Sequence, residues 1–256
     1  MNTSDSLPPA LAAVLGERFE AELCTAEKLE GSVCNSVWRL LTACGPLAVR
    51  IGGPSALQLG ADRQSELAAL RAAFPISPAV LLSDPVAGWL VTEWIPGRHW
   101  SQQEARDADN LRRVAVLFAS LHARVLPAGV RRLTMRRTLA DLAAEPDPVT
   151  ESCLDALEAG AVVGLCHNDP HHRNLLVGDH SALRLVDWEY AGVGEVAVDL
   201  AEYANAHHLE DGEKALLLEA YRASGGRVSQ IQFDAACQLC RLRTALWESA
   251  AAKKQS

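Results

Sequence analysis

The chain has no long apolar run; its dense hydrophobic windows are short. None approaches the roughly 20 residues that a membrane-spanning helix needs. Residues 1–9 are polar, with neither the basic opening nor the apolar core of a secretory signal. The expectation is a cytoplasmic protein without a membrane partner. Basic residues are in deficit, 24 Lys and Arg against 32 Asp and Glu, for a net charge of −8. That balance argues against a nucleic-acid footprint and is compatible with a cationic small molecule. No internal repeat or low-complexity tract occurs. A disulfide framework is also missing: seven cysteines, at positions 24, 34, 44, 153, 166, 237 and 240, are an odd count in a long chain. Cys237 and Cys240 form a CxxC inside a helical pattern with no second ligand pair. They read as two core-facing thiols, not a zinc or redox site.

What is present is an ordinary globular balance, 49% hydrophobic and 22% charged, over 256 residues. This length is sufficient for one large domain or two lobes. Helical spacing covers residues 9–19, after Pro8-Pro9. Strand patterns follow at 20–29, 33–42 and 46–51, with Gly31 and Gly45 between them, which predicts an antiparallel meander. A helix is expected at 61–73, and strands at 76–82 and 88–93. Trp94-Ile95-Pro96-Gly97 then breaks the pattern, a hinge signal that places a boundary near 94–98. Beyond it the chain turns helical: 107–124, with Leu111, Val114, Leu117, Phe118 and Leu121 at a period near 3.6, then 149–159. Residues 161–166 read as a strand, 192–195 as a flexible turn, and 195–208, 213–223 and 232–252 as helices. His122 is expected to pack or cap its helix, and Arg131, Arg132, Arg136 and Arg137 to form a solvated basic surface.

The most informative stretch runs from Leu165 to Ala191. Two short apolar runs, 174–177 and 183–186, flank a polar turn at Gly178-Asp179, a hairpin signature. Asp169 and Asn174 lie on the way into the hairpin and Asp187 at its exit, so a tight hairpin brings two carboxylates and an amide to one point. Hard oxygen donors of this kind suit Mg²⁺, which binds one or two carboxylates together with substrate phosphates. His167, Asp169, His171 and His172 also form a cluster that can be read as a zinc hydrolase site, although hydrolysis does not require the Val-Asp-Trp-Glu that ends the hairpin. A non-catalytic nucleotide-binding module is the other alternative.

The order His167, Asp169, Asn174, Asp187 parallels the kinase template of a catalytic-loop Asp, an Asn five residues later, and a metal-binding Asp after a hairpin. With His-x-Asp in the loop and Val186-Asp187-Trp188-Glu189 in place of Asp-Phe-Gly, the chain resembles the aminoglycoside phosphotransferase and choline kinase superfamily. Val198-Asp199-Leu200-Ala201 matches the Asp-Leu-Ala that follows the metal Asp there. The phrases Asp-Trp-Glu-Tyr-Ala-Gly and Glu-Trp-Ile-Pro-Gly look most like the bacterial choline kinase and thiamine kinase branch.

The resemblance implies an α+β, two-lobed protein-kinase-like fold. Residues 1–95 would be a nucleotide-binding lobe with a small antiparallel sheet and one main helix, and 96–256 a mostly helical catalytic lobe. It implies ATP and Mg²⁺ as cofactors and a small alcohol as acceptor: choline, thiamine or a similar cationic alcohol, or an aminoglycoside. Asp169 would be the base, with Asn174 and Asp187 on the metal. Gly31, Ser32 and Asn35 would bracket a phosphate-covering turn. Arg50, on the third strand, would take the place of the kinase lysine, paired with Glu66 on the following helix. Glu93, Trp94 and Ile95 would meet adenine, and His171 would lie on the nucleotide side. His167 would support the loop backbone. Pro170 and His172-Arg173 depart from the usual Leu and Pro-Gly, which leaves Arg173 as a phosphate contact peculiar to this chain or a surface charge. For a cationic acceptor, Tyr190, Trp247 and Trp100 would supply aromatic faces and Glu189 or Glu195 a countercharge.

Overall fold

The computed structural model describes residues 7–21, 26–29, 35–43, 45–53, 62–142, 147–178 and 182–255, with side chains to residue 249. Period-two burial builds the first sheet. In β2 (Asn35–Leu40) Trp38 and Leu40 are buried on one face, and in β3 (Leu47–Gly52) Leu47 and Val49 are. With β1 (Glu27–Leu29), β4 (Val80–Asp84) and β5 (Trp89–Glu93) they form an antiparallel sheet in the order β1-β2-β3-β5-β4. Helix α1 (Pro9–Phe19) covers the buried face with Leu11 and Leu15, four residues apart, in one apolar cluster with Trp38, Leu40, Leu47, Val49 and Val91. Helix α2 (Arg63–Ala73) starts on Asp62, whose carboxylate accepts from the Gln64 and Ser65 N–H groups. Ala69, Leu70 and Ala73 of α2 pack into the larger core of the following helical part.

After Glu93 the chain passes through Trp94–Pro96 into β6 (Gly97–His99), which belongs to a different sheet, β6-β8-β9. Here β8 is Leu175–Gly178 and β9 is Leu183–Leu185. Gly97 permits the contact: a Cβ there would lie 2.5 Å from the Val177 carbonyl oxygen. Helices α3 (Gln102–Arg106), α4 (Ala108–His122), α5 (Met135–Asp141) and α6 (Pro148–Glu158) follow. Strand β7 (Val163–Cys166) leads into the 165–191 stretch and pairs with β10 (Gly192–Glu195). Helices α7 (Ala197–Ala206), α8 (Asp211–Ala223) and α9 (Gln230–Gln255) complete the chain, with α4 against α8 and α7 against α9. Among the described residues no helix is long and apolar enough to cross a membrane.

Several expectations change. Among the described residues of 20–29, the strand covers 27–29; residues 22–25 lie outside them. The helix expected at 107–124 begins after Asp107, which caps it by accepting from Asp109 and Asn110 N–H. Residues 192–195 are not a flexible turn but β10; two glycines conceal the strand from pattern reading, and a Cβ on Gly194 would lie 2.3 Å from the Leu133 carbonyl oxygen. The arginines at 131–137 are not a simple solvated patch. Arg136 meets Glu151 at 2.8 Å, Asp155 at 3.2 Å and Glu158 at 2.9 Å, while Arg131 donates to the Glu189 and Ala191 carbonyls. Cys237 and Cys240 are buried free thiols, as expected.

Candidate active site

The loop ahead of β8 is held by one fully buried carboxylate. Asp199, in the first turn of α7, accepts from the main-chain N–H of His167 at 2.9 Å, from that of Asn168 at 2.7 Å, and from His122 Nε2 at 3.0 Å. Burial alone would raise its pKa. The His122 hydrogen bond and the neighbouring imidazoles outweigh that and hold it below the ordinary carboxylate range. His122 Nδ1, left as the acceptor, lies 2.9 Å from the Tyr221 hydroxyl. A chain of hydrogen bonds thus runs from α8 through α4 and α7 to the loop. In the sequence Asp199 stands out only within Val198-Asp199-Leu200-Ala201, and His122 and Tyr221 carry no pattern that links them.

With the loop fixed, His167 bridges its two ends. Its Nδ1 accepts from the Asp169 N–H at 3.3 Å, and its Nε2 donates to the Val186 carbonyl at 3.0 Å. Both nitrogens are committed, so neither is free for zinc, and burial keeps the ring neutral. Val186 N–H donates to the Asn174 carbonyl at 2.9 Å, which closes the hairpin as predicted. Asn168 and Asp187 adopt positive φ, 66° and 63°. Two non-glycine residues in the left-handed region, one on each side of the site, are conformations that the surrounding bonds impose.

Asp169 and Asp187 are both partly exposed, with 36% and 40% of their side chains open to solvent. Asn174 Nδ2 donates to Asp169 Oδ2 at 3.1 Å and to the Asp169 carbonyl at 2.8 Å, which leaves its Oδ1 as the free ligand atom. Burial, then the Asp187 and Glu202 charges, push the Asp169 carboxyl up to about 7. Burial and Glu189 push Asp187 up to about 6, against the pull of Arg50. Arg50 and Arg243 offset only part of this, and the donors are oxygens, the set that a hard divalent cation takes.

On the strand side, Arg50 pairs with buried Glu66 and reaches Asp187 at 3.6 Å. Burial would favour loss of its proton, but Glu66 and Asp187 keep its pKa above the ordinary value. Asn35 Nδ2 donates to Glu189 Oε2 at 2.9 Å, so the first residue of β2 is tied to the segment after Asp187. Gly31 and Ser32 lie outside the described residues. Between β5 and β6, Glu93 N–H donates to the Ala79 carbonyl at 3.0 Å and Trp94 N–H to the Pro46 carbonyl at 3.2 Å, while the Ile95 N–H has no partner among the described residues. The Glu93 carboxylate is occupied by Ala79 N–H and by Arg184 of β9. His171 Nε2 lies 3.6 Å from Asp169 Oδ2, and burial followed by the neighbouring imidazoles lowers its pKa to about 4.

The residues expected around a cationic acceptor do not come together as a cage. Trp100 is in the core under Arg113, and Glu195 is buried at the start of α5, where it accepts from Met135 N–H at 3.1 Å. Glu189 is buried against Asn35, Tyr190 is half-buried, and Trp247 stands exposed on α9. In their place the structure brings Glu202 of α7 and Arg243 of α9, 2.8 Å apart, beside Asp169. A charge on the inward face of α9, one turn after buried Cys240, was the available sequence signal. A buried trio, His122, Cys166 and Asp199, has ligand-type atoms within 4.8 Å, but His122 and Asp199 are engaged with the loop and burial keeps the Cys166 thiol protonated.

An antiparallel sheet ahead of a helical part, with a loop and hairpin between them that carry Asp169, Asn174 and Asp187, is the architecture of a kinase-type phosphotransferase. The chain belongs to the phosphotransferase enzyme family APH, which it matches over residues 25–236. No curated protein matches the sequence. Among solved structures, a choline/ethanolamine kinase family protein from Mesorhizobium loti shares 23% identity at TM-score 0.68, covering 97% of this chain and 85% of that one. Choline kinase LicA from Streptococcus pneumoniae shares 18% at TM-score 0.72, covering 94% and 90%. Macrolide 2'-phosphotransferase MphH from Brachybacterium faecium shares 20% at TM-score 0.70, covering 97% and 94%. At these identities the likeness is one of fold.

Proposed function

We propose that the protein is an ATP- and Mg²⁺-dependent kinase that transfers the γ-phosphoryl group to the hydroxyl of a small alcohol. The observation that carries this reading is the convergence of Asp169, Asn174 and Asp187, with Asn174 Nδ2 3.1 Å from Asp169 Oδ2 and Asp187 3.6 Å from Arg50. Asn174, through Oδ1, and Asp187 would hold Mg²⁺, which when bound neutralises charge on the phosphate oxygens. Arg50, braced by Glu66, would bind the nucleotide phosphates, with Gly31, Ser32 and Asn35 as further candidate phosphate contacts. The free Ile95 N–H meets the adenine edge, within the hinge formed by Glu93, Trp94 and Ile95. An AMP complex of LicA supports an adenine nucleotide. Neutral His171 lines the same side as a hydrogen-bonding group.

Asp169 orients the acceptor hydroxyl and takes its proton. As the hydroxyl oxygen bonds to the γ-phosphorus, the bond from phosphorus to the β,γ-bridging oxygen breaks and ADP leaves. Positioning and charge supply most of the rate, so few side chains are needed. Choline, thiamine and related cationic alcohols are the acceptors suggested by the sequence phrases, with antibiotic alcohols as the alternative. Both kinds occur among the structural neighbours.

The test is ADP release by purified protein with Mg-ATP across a panel of alcohols. Asp169→Asn should lower the acceptor-stimulated rate by about 10²- to 10⁴-fold while Mg-ATP still binds. Failure of the protein to bind Mg-ATP would end the kinase reading.

A further inference from the structure

Resting on the kinase reading, we propose that Arg131 is a positioning residue for the phosphate and metal side of the site: it fixes α2, and with it Glu66, against the turn that follows Asp187. The first observation is that Arg131 is tied through main chain and side chain alike. Its N–H donates to Ser65 Oγ at 2.9 Å, and its carbonyl accepts from Val193 N–H of β10 at 2.8 Å. Its Nε donates to the Ala191 carbonyl at 3.4 Å and its Nη2 to the Glu189 carbonyl at 3.2 Å. Nε–H and one Nη2–H share an edge of the planar guanidinium, so the two carbonyls are held as a unit. Three segments remote in sequence, α2, 188–191 and β10, therefore meet at this residue.

The second observation is what each arm supports. Ser65 is buried and immediately precedes Glu66, whose carboxylate braces Arg50. The chain ahead of Arg131 runs along α2: a Cβ on Gly129 would lie 3.8 Å from Ala68 Cβ, an ordinary contact. On the other arm, 188–191 is a tight turn, closed by Ala191 N–H on the Trp188 carbonyl at 2.9 Å. It starts directly after Asp187, whose φ of 63° lies in the left-handed region. A non-glycine residue keeps that conformation only where its surroundings impose it, and the clamp on residues 189 and 191 is part of those surroundings. Across the site the arms meet again, with Arg50 3.6 Å from Asp187. The contacts close a ring from Arg131 through Ser65 and Glu66 to Arg50, on to Asp187, and back through the turn. The ring sets the separation of Arg50 and Asp187, the groups assigned to phosphate and metal.

The third is what the ring leaves out. Asp169 is held by His167 and Asn174, and Trp94 by Pro46. Loss of the arginine edge should therefore act on the phosphates and the metal and spare the adenine side.

Isothermal titration with two probes tests this: Mg-ATP, and adenosine, which has no phosphates. Arg131→Met, similar in reach but without donors, should weaken Mg-ATP binding about tenfold and leave adenosine binding unchanged. Arg131→Lys keeps the charge but not the two-donor edge, and should recover only part of the loss. Ser65→Ala removes the α2 arm alone and should weaken Mg-ATP about threefold. A dissociation constant does not depend on how much of the protein is folded. A purely structural role would lower the number of sites and leave both constants at their wild-type values. A Mg-ATP constant within about twofold of wild type in Arg131→Met overturns the proposal, as does equal weakening of adenosine. If Arg131→Met does not fold, Arg131→Lys and Ser65→Ala decide, and wild-type Mg-ATP binding by both overturns it. Failure of the wild-type protein to bind Mg-ATP would instead overturn the kinase reading beneath it.

Discussion

At the scale of single residues, the site depends on groups that never face the cleft. Asp199 is the clearest case. Replacing it with Ala would leave the N–H groups of His167 and Asn168 and the Nε2–H of His122 buried without an acceptor. The expected loss is about 3 kcal/mol or more in urea denaturation, since each stranded buried donor costs about 1–3 kcal/mol. Tyr221→Phe removes only the outermost hydrogen bond of the chain, and should cost about 1 kcal/mol. Asp169 and Asn174 were legible in sequence because their chemistry and spacing travel together. Asp199 was legible only as a phrase, because its role lies in three bonds to groups remote in the chain.

At the scale of elements, the junction between the first sheet and the helical part is made by strands too short or too glycine-rich to show a period. Strand β6 has three residues, all exposed, and pairs with β8 through the close approach at Gly97. Gly97→Ala would drive a Cβ to 2.5 Å from the Val177 oxygen, against backbone that cannot move freely. A fall in thermal midpoint corresponding to about 1–3 kcal/mol is expected from such overpacking. The hairpin β8–β9 was readable from its apolar runs. Its partner β6 was not, since Gly-Arg-His offers no apolar alternation.

At the scale of the molecule, the first sheet and the helical part are joined by polar cross-ties: Asn35 to Glu189, Glu93 to Arg184, and Arg50 to Asp187. The helical part, in turn, buries an imidazole without charge. His207 is fully buried, donates Nδ1–H to the Tyr203 carbonyl at 2.7 Å, and has its Nε2 unpartnered beside the His172 ring. Burial first, and the neighbouring imidazoles, lower its pKa to about 4. The unfolded chain, with an ordinary histidine near 6.5, binds the proton more readily between those values. Stability is therefore complete above about pH 6.5 and declines as pH falls toward 4, by roughly 3 kcal/mol in total from this group. Urea midpoints from pH 4 to 8 should show that slope, and His207→Phe should flatten it.

Sequence alone determined the helices with a clear apolar stripe, the meander, the hairpin, and the convergence of Asp169, Asn174 and Asp187. These rest on periods and spacings within about 20 residues, which backbone geometry converts directly into position. The Arg50–Glu66 pair was reachable too, by way of the resemblance. Only the tertiary structure decided the surroundings. Trp100 and Glu195, plausible in a list of aromatic and acidic residues, went to the core because neighbouring elements covered them. Glu202 and Arg243, unremarked in the sequence, came to Asp169 because α7 and α9 pack together. Packing between distant helices is set by how whole faces fit, and no local pattern encodes which side chain then lies beside which loop.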